Sequence, residues 1–281
     1  MTYKTIAVYV NDSRHTMDRV QVAARLALAH RAHLVGVAAT GIPETFYMGG
    51  VAGEGMAGLN VYLDFVKERA ATTLAAFELV AARAGVSSFE KRAIEDEAGA
   101  ALCLQARYSD LLVIGQPDPD EGLPAERSDV AQYVLLNGGR PVLLVPYAGS
   151  FDAIGRRAVI AWDGSPEAAR AVTGAIPLLR ESGLVQVAVF NPEIGYAAHG
   201  EEPGADIALY LARHDIKVEV ARQTTDRHVD LGNALLSHVA DFGADLLVMG
   251  GYGHARLREV LLGGVTRTVL TSMTIPVLMS H

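Results

Sequence analysis

Short apolar runs alternate along this chain with longer stretches whose apolar positions recur every three or four residues. The first spacing suits strands buried on both faces, and the second suits helices packed by one stripe. Their alternation predicts parallel strands joined by crossover helices, an α/β fold. In the second half, strands are expected near Arg157–Trp162, Leu184–Phe190, Lys217–Ala221, Leu246–Gly250 and Pro276–Met279. In the first half they fall near Thr5–Val10, Leu34–Ala38, Phe89–Arg92, Leu111–Gly115 and Val142–Val145, with a long helix over Leu59–Arg83. The helix after the Arg157 strand has a sharp start. Ser165 is placed as N-cap, Pro166 occupies the first helical position, and Gly183 is the expected stop.

The two halves repeat one another. Ser109-Asp110-Leu111-Leu112-Val113-Ile114-Gly115 returns 135 positions later as Ala244-Asp245-Leu246-Leu247-Val248-Met249-Gly250, and Arg140-Pro141-Val142-Leu143-Leu144 returns at the same offset as Ile275-Pro276-Val277-Leu278-Met279. Nearer the start the offset is 152, which pairs Ile6–Val10 and Asn11-Asp12-Ser13 with Ala158–Trp162 and Asp163-Gly164-Ser165. The first half therefore holds extra residues, and Gly41–Gly58, glycine-rich and aperiodic, reads as an inserted loop over 41–58. Its Phe46, Tyr47 and Met48 are apolar enough to cover a groove or a partner surface. The expected organisation is a first domain over 1–148 and a second over 155–281. Each would be a doubly wound five-stranded parallel sheet with its ligand site beyond the carboxyl ends of the strands.

Composition narrows the partners. Half of the 281 residues are hydrophobic, enough for two packed cores, and 32 acidic against 24 basic residues give a net charge of -8. That sign disfavours nucleic acid and anionic membrane surfaces, and no apolar run approaches the length of a membrane span. A single cysteine, Cys103, excludes an intrachain disulfide and a cysteine-built zinc site. With no export signal at the start of the chain, the expected compartment is the cytoplasm.

Chemistry concentrates after the fourth strand of the second half. There the sequence runs Gly250-Gly251-Tyr252-Gly253 and, ten residues beyond Gly253, Gly263-Gly264-Val265-Thr266. Glycines let main-chain N–H groups approach a phosphate, and a helix beginning near Gly263 would aim its unpaired N–H groups at the same space. Neither the Walker sequence nor the dinucleotide fingerprint is present. At the matching positions of the first half stand Asp118, Ser128 and Asp129, with Pro117 and Pro119 removing N–H donors and Asn11 replacing Asp163. Each carboxylate would repel a polyphosphate by ~1 kcal/mol, so no nucleotide is expected in the first domain, though a ligand of another kind is not barred.

The Gly250, Gly253 and Gly263 spacing resembles the Gly-x2-Gly-x9-Gly-[Ser/Thr] signature of the universal stress protein family, and two such domains in one chain resemble its tandem form. The resemblance implies strand order 3-2-1-4-5, an adenine-nucleotide α-hydrolase-like fold, and domains paired through the last strand as an intramolecular pseudo-dimer or a homodimer. It also implies ATP, often with Mg2+, held by Asp163, Phe190, Gly250, Gly253, Gly263, Gly264, Val265 and Thr266. Gly264 stands where serine or threonine is usual, which removes a hydroxyl donor worth about 1–3 kcal/mol. Asp163 has a second reading, as an acceptor for N–H groups at the start of the following helix.

Other candidates are weaker. Arg256 and Arg258 read as solvated, His228 between Asp226 and Asp230 as a loop histidine, and Cys103 as a buried inert thiol. No catalytic residue and no protein-built metal site is assigned, and any ATPase activity would be slow. Two functions remain open: a stress-response protein binding an adenine nucleotide in its second domain, and a nucleotide-free interaction or small-ligand module on a pseudo-symmetric pair. A weaker third is a flavoprotein subunit of similar topology.

Overall fold

The computed structural model describes residues 2–41, 55–121, 130–192, 202–226, 228–253 and 264–281. Of the insert expected over 41–58, residues 42–54, with Phe46, Tyr47 and Met48, lie outside the described residues, as do Arg256, Arg258 and Gly263. Gly55–Gly58 are not loop but open the long helix, four residues before the expected Leu59. The chain forms two compact units, Thr2–Arg140 and Pro141–His281.

The first unit runs β1 (Thr5–Tyr9), α1 (Thr16–His30), β2 (His33–Ala39), α2 (Gly55–Ala84), β3 (Phe89–Ile94), α3 (Ala98–Ala106), β4 (Leu111–Gly115) and α4 (Val130–Asn137). Strand β1 pairs in parallel with β2 on one side and β4 on the other, and β3 extends the sheet beyond β2, giving the order 3-2-1-4. The central strands are apolar because helices cover both faces: Ile6, Val8, Leu111, Leu112 and Val113 are fully buried. Gly36 of β2 is small because α2 presses on it; a Cβ there would lie 2.7 Å from the Phe77 ring.

The second unit comprises β5 (Val142–Val145), β6 (Arg157–Ala161), α5 (Pro166–Leu179), β7 (Leu184–Phe190), α6 (Ala205–Ala212), β8 (Val218–Gln223), α7 (Leu231–Phe242), β9 (Leu246–Gly250), α8 (Gly264–Ser272) and β10 (Val277–Ser280). Five of its strands are parallel in the order β8-β7-β6-β9-β10, the expected 3-2-1-4-5. Strand β5 pairs antiparallel with β10, Leu144 opposite Val277 and Val142 opposite Met279.

Ser165 caps α5 as expected, its side chain accepting from the Ala168 N–H at 3.1 Å, with Pro166 opening the helix. Gly183 is not the stop. The helix ends at Leu179, the chain unwinds through bonds from Glu181 to Leu178 and Ser182 to Leu179, and the Gly183 N–H serves the Arg156 carbonyl at the strand entrance. Strands β3 and β8 run longer than the sequence pattern suggested. Their outer positions are polar (Glu90, Lys91 and Arg92; Glu219 and Arg222) because each lies at a sheet edge facing solvent.

Candidate functional site

Beyond the carboxyl ends of β6, β7 and β9, the second unit opens a cavity of about 410 Å3. It is bounded by Asp163 just past β6, Phe190 at the end of β7, Gly250 and Gly253 after β9, and Gly264, Val265 and Thr266 where α8 begins. Chain topology thus gathers these seven residues, far apart in sequence, around one space. Four further lining side chains, Leu231, Leu235, Met249 and Tyr252, did not stand out in the sequence. Leu231 and Leu235 are one helical turn apart on α7, a spacing that any packed helix would show.

Each polar group is held locally. Asp163 is exposed, and its Oδ1 accepts the Ser165 N–H at 2.9 Å, so it shapes the approach to α5 while keeping carboxylate surface open. Gly250 is obligatory on steric grounds, since a Cβ would stand 2.6 Å from the Ala168 nitrogen. Tyr252 has left-handed backbone, φ 55°, and donates its N–H to Thr266 Oγ1 at 3.2 Å, tying the loop to α8. The Thr266 hydroxyl is thereby buried as a loop support. A Cβ on Gly264 would meet nothing within 4 Å, so the first turn of α8 borders open space.

Phe190 is braced edge-on by His238, at 5.8 Å between ring centroids. His238 sits between Gln186 at 2.6 Å and Gln223 at 3.3 Å, and burial lowers its pKa, favouring the neutral ring. Glu167 pairs with Arg170 through Oε1, whereas its Oε2 is buried without a hydrogen-bond partner and lies 3.4 Å from where a Gly253 Cβ would be.

Residues 155–281 match the universal stress protein family. This half of the chain belongs to that family. Solved structures carry the likeness of fold across both halves. A universal stress protein from Archaeoglobus fulgidus DSM 4304 superposes with a TM-score of 0.73 at 14% identity, covering 98% of this chain and 94% of that one. A protein of unknown function from Pseudomonas aeruginosa PAO1 gives 0.58 at 15% identity, covering 98% and 92%. A putative universal stress protein from Pseudomonas aeruginosa UCBPP-PA14 gives 0.57 at 14%, again covering 98% and 92%. No curated protein matches the chain. Among the described residues, no helix is long and apolar enough to cross a membrane.

The unit that precedes the universal stress domain has its own cavity, about 520 Å3, at the matching end of its sheet. Asn11 lies where Asp163 would be and Gly115 where Gly250 would be. The acidic cradle expected there is not a set of free charges. Asp118 is bound by Arg14 and by His15 at 3.0 Å, and these bonds with the Asp120 N–H hold its pKa down at about 2. Glu121 accepts the Arg14 N–H at 2.8 Å. Ser128 and Asp129 lie outside the described residues. His15, Asp118 and Glu121 come close enough to hold a metal ion, but Arg14 already bridges the two carboxylates.

The sequence reading missed Arg19. It is 4% exposed, lies in the buried stripe of α1 and lines this cavity; the residue 152 positions on is Ala171. A charged residue within an apolar helical stripe was the available signal. Cys103 is buried, as expected, and burial pushes its thiol pKa up. His228 joins no group of potential metal ligands among the described residues.

Proposed function

We propose that the universal stress domain binds an adenine nucleotide in its 410 Å3 cavity and that the protein serves a cytoplasmic stress response. The reading is carried by one juxtaposition. An apolar wall of Phe190, Leu231, Leu235, Met249 and Val265 suits a purine, while Gly253, Gly264 and the start of α8 offer N–H groups suited to phosphate. Asp163 would contact the ribose or a cation beside it, and Gly263 belongs to the same loop by its spacing. The residues fit ATP accompanied by Mg2+. Asp163 is the carboxylate in the described lining, and a magnesium ion accepts one such ligand when phosphate and water complete its shell. No residue is assigned as a base to activate water, so binding rather than turnover is the proposed role, in a single chain or a homodimer.

A second reading has its own support. The buried Glu167 Oε2 beside Gly253, together with the missing hydroxyl at Gly264, opposes a phosphate and favours a nucleotide-free domain that holds a small apolar ligand or a partner.

Trp162, the single tryptophan, lines the cavity and provides the assay. Titration with ATP and Mg2+ should change its fluorescence saturably and release heat in calorimetry. Asp163→Ala and Gly253→Asp should each weaken the response. If neither signal appears with ATP, ADP or AMP, the nucleotide reading fails and the second one stands.

A further inference from the structure

We propose that the cavity of the first unit binds a small ligand bearing one carboxylate group, recognised by the buried guanidinium of Arg19.

Arg19 carries a buried charge whose guanidinium lies 5.8 Å from the Tyr9 ring centroid but has no counter-ion among the described residues. A buried cation is ordinarily paired with an anion, because neutral dipoles do not repay the loss of hydration. Arg19 is 4% exposed, yet its hydrogen bonds go to neutral acceptors: Nε to the Tyr9 carbonyl at 2.9 Å, and Nη2 to Asn11 Oδ1 at 2.7 Å and Thr16 Oγ1 at 3.1 Å. It forms no ion pair among the described residues. Those bonds fix the guanidinium and leave Nη1 without a hydrogen-bond partner among the described residues. Burial lowers the Arg19 pKa to about 10, with Tyr9 and Glu121 working the other way, so the group is charged at neutral pH.

The space around Nη1 is built for it. Gly115 has no side chain, and a Cβ there would lie 2.1 Å from Nη1. The three carboxylates that line the same cavity are engaged by other cations: Asp12 by Arg69 at 2.8 Å, Asp118 by Arg14 and His15, and Glu121 by Arg14. Among the described residues Arg19 is therefore left without a counter-ion, which makes room for an external anion. Those carboxylates also select among anions. A polyphosphate would bring several charges past them, and Pro117 gives no N–H to cradle it, whereas a single carboxylate places one charge against Nη1.

The test uses the full chain and sodium acetate, pyruvate and inorganic phosphate, each compared with sodium chloride at equal ionic strength. Ligand-observed NMR and the thermal midpoint report binding. Acetate or pyruvate should give a saturable response that chloride does not, with inorganic phosphate weaker, and Trp162 fluorescence should not change. Arg19→Met should weaken the carboxylate response by about tenfold or more, and Arg19→Lys should restore part of it. Gly115→Ala, which displaces Nη1 without removing the charge, should also weaken it. The proposal is overturned by a wild-type protein that shows no saturable response to either carboxylate. Stronger binding of phosphate than of acetate, or an equal response in Arg19→Met, overturns it as well. Should Arg19→Met not fold, the wild-type titration and Gly115→Ala decide.

Discussion

Gly115 and Gly250 occupy matching positions at the ends of β4 and β9, but alanine should behave differently at each. At Gly250 the added methyl would stand 2.6 Å from the Ala168 nitrogen and 2.9 Å from the Glu167 carbonyl carbon, both backbone of the first turn of α5. That turn is fixed by the Ser165 cap, so strand and helix must separate. Overpacking of this kind costs about 1–3 kcal/mol, against a gain of about 0.4–1 kcal/mol from restricting the unfolded chain. A net loss of about 1–2 kcal/mol follows, or roughly 3–6 °C in the midpoint of a unit this size. At Gly115 the methyl meets the end of the Arg19 side chain rather than backbone; the guanidinium can shift toward the 520 Å3 cavity while straining its bonds to Tyr9, Asn11 and Thr16, so the net loss should be the smaller of the two. Urea unfolding followed by Trp162 fluorescence reports the second unit, and circular dichroism reports both. Equal losses at the two glycines, or the larger one at Gly115, would refute the steric argument.

Two further outcomes follow. Gly264→Ser points its Cβ into open space and restores a hydroxyl at the first residue of α8; stability should rise by a few tenths to about 1 kcal/mol, and ATP affinity several-fold, in denaturation and calorimetry. Asp118 has its pKa held below the ordinary 3.8, so its ion pairs contribute fully above about pH 4 and the contribution disappears as pH falls through about 2. Asp118→Asn should therefore show a shallower loss of stability over that window, measured by urea midpoints at successive pH values.

Much of the fold was legible in the sequence because the duplicated segments are buried on both faces. Leu111–Gly115, Val142–Val145, Leu184–Phe190 and Leu246–Gly250 match the observed strands residue for residue, since Gln186 is the one polar residue among them. Edge strands and helix ends were less legible: Arg222 and Gln223 continue β8 although they look like loop, and the end of α5 is set by local turns rather than by the glycine beyond it. At the candidate site, the glycine spacing and Asp163 singled out residues that the fold gathers around one cavity. Leu231 and Leu235 were invisible, as their contribution depends on which face of α7 meets the sheet. In the first unit, counting charges without their partners misrepresented the cavity. Arg14 sits next to His15 in sequence but reaches Asp118 across the sheet end, and Arg19 hides in an apolar stripe.

The last strand of the universal stress domain is hydrogen-bonded along both flanks, to β9 in one direction and to β5 in the other. Its main-chain amides are thus spent, and a second molecule could not add a strand there without first peeling β5 away. Self-association by strand addition would have to use an open edge instead: β8, whose Glu219 and Arg222 put opposite charges on its rim, or β3, where Glu90, Lys91 and Arg92 do the same. For this chain, β5 already occupies the flank of β10 that a second molecule would otherwise have to fill.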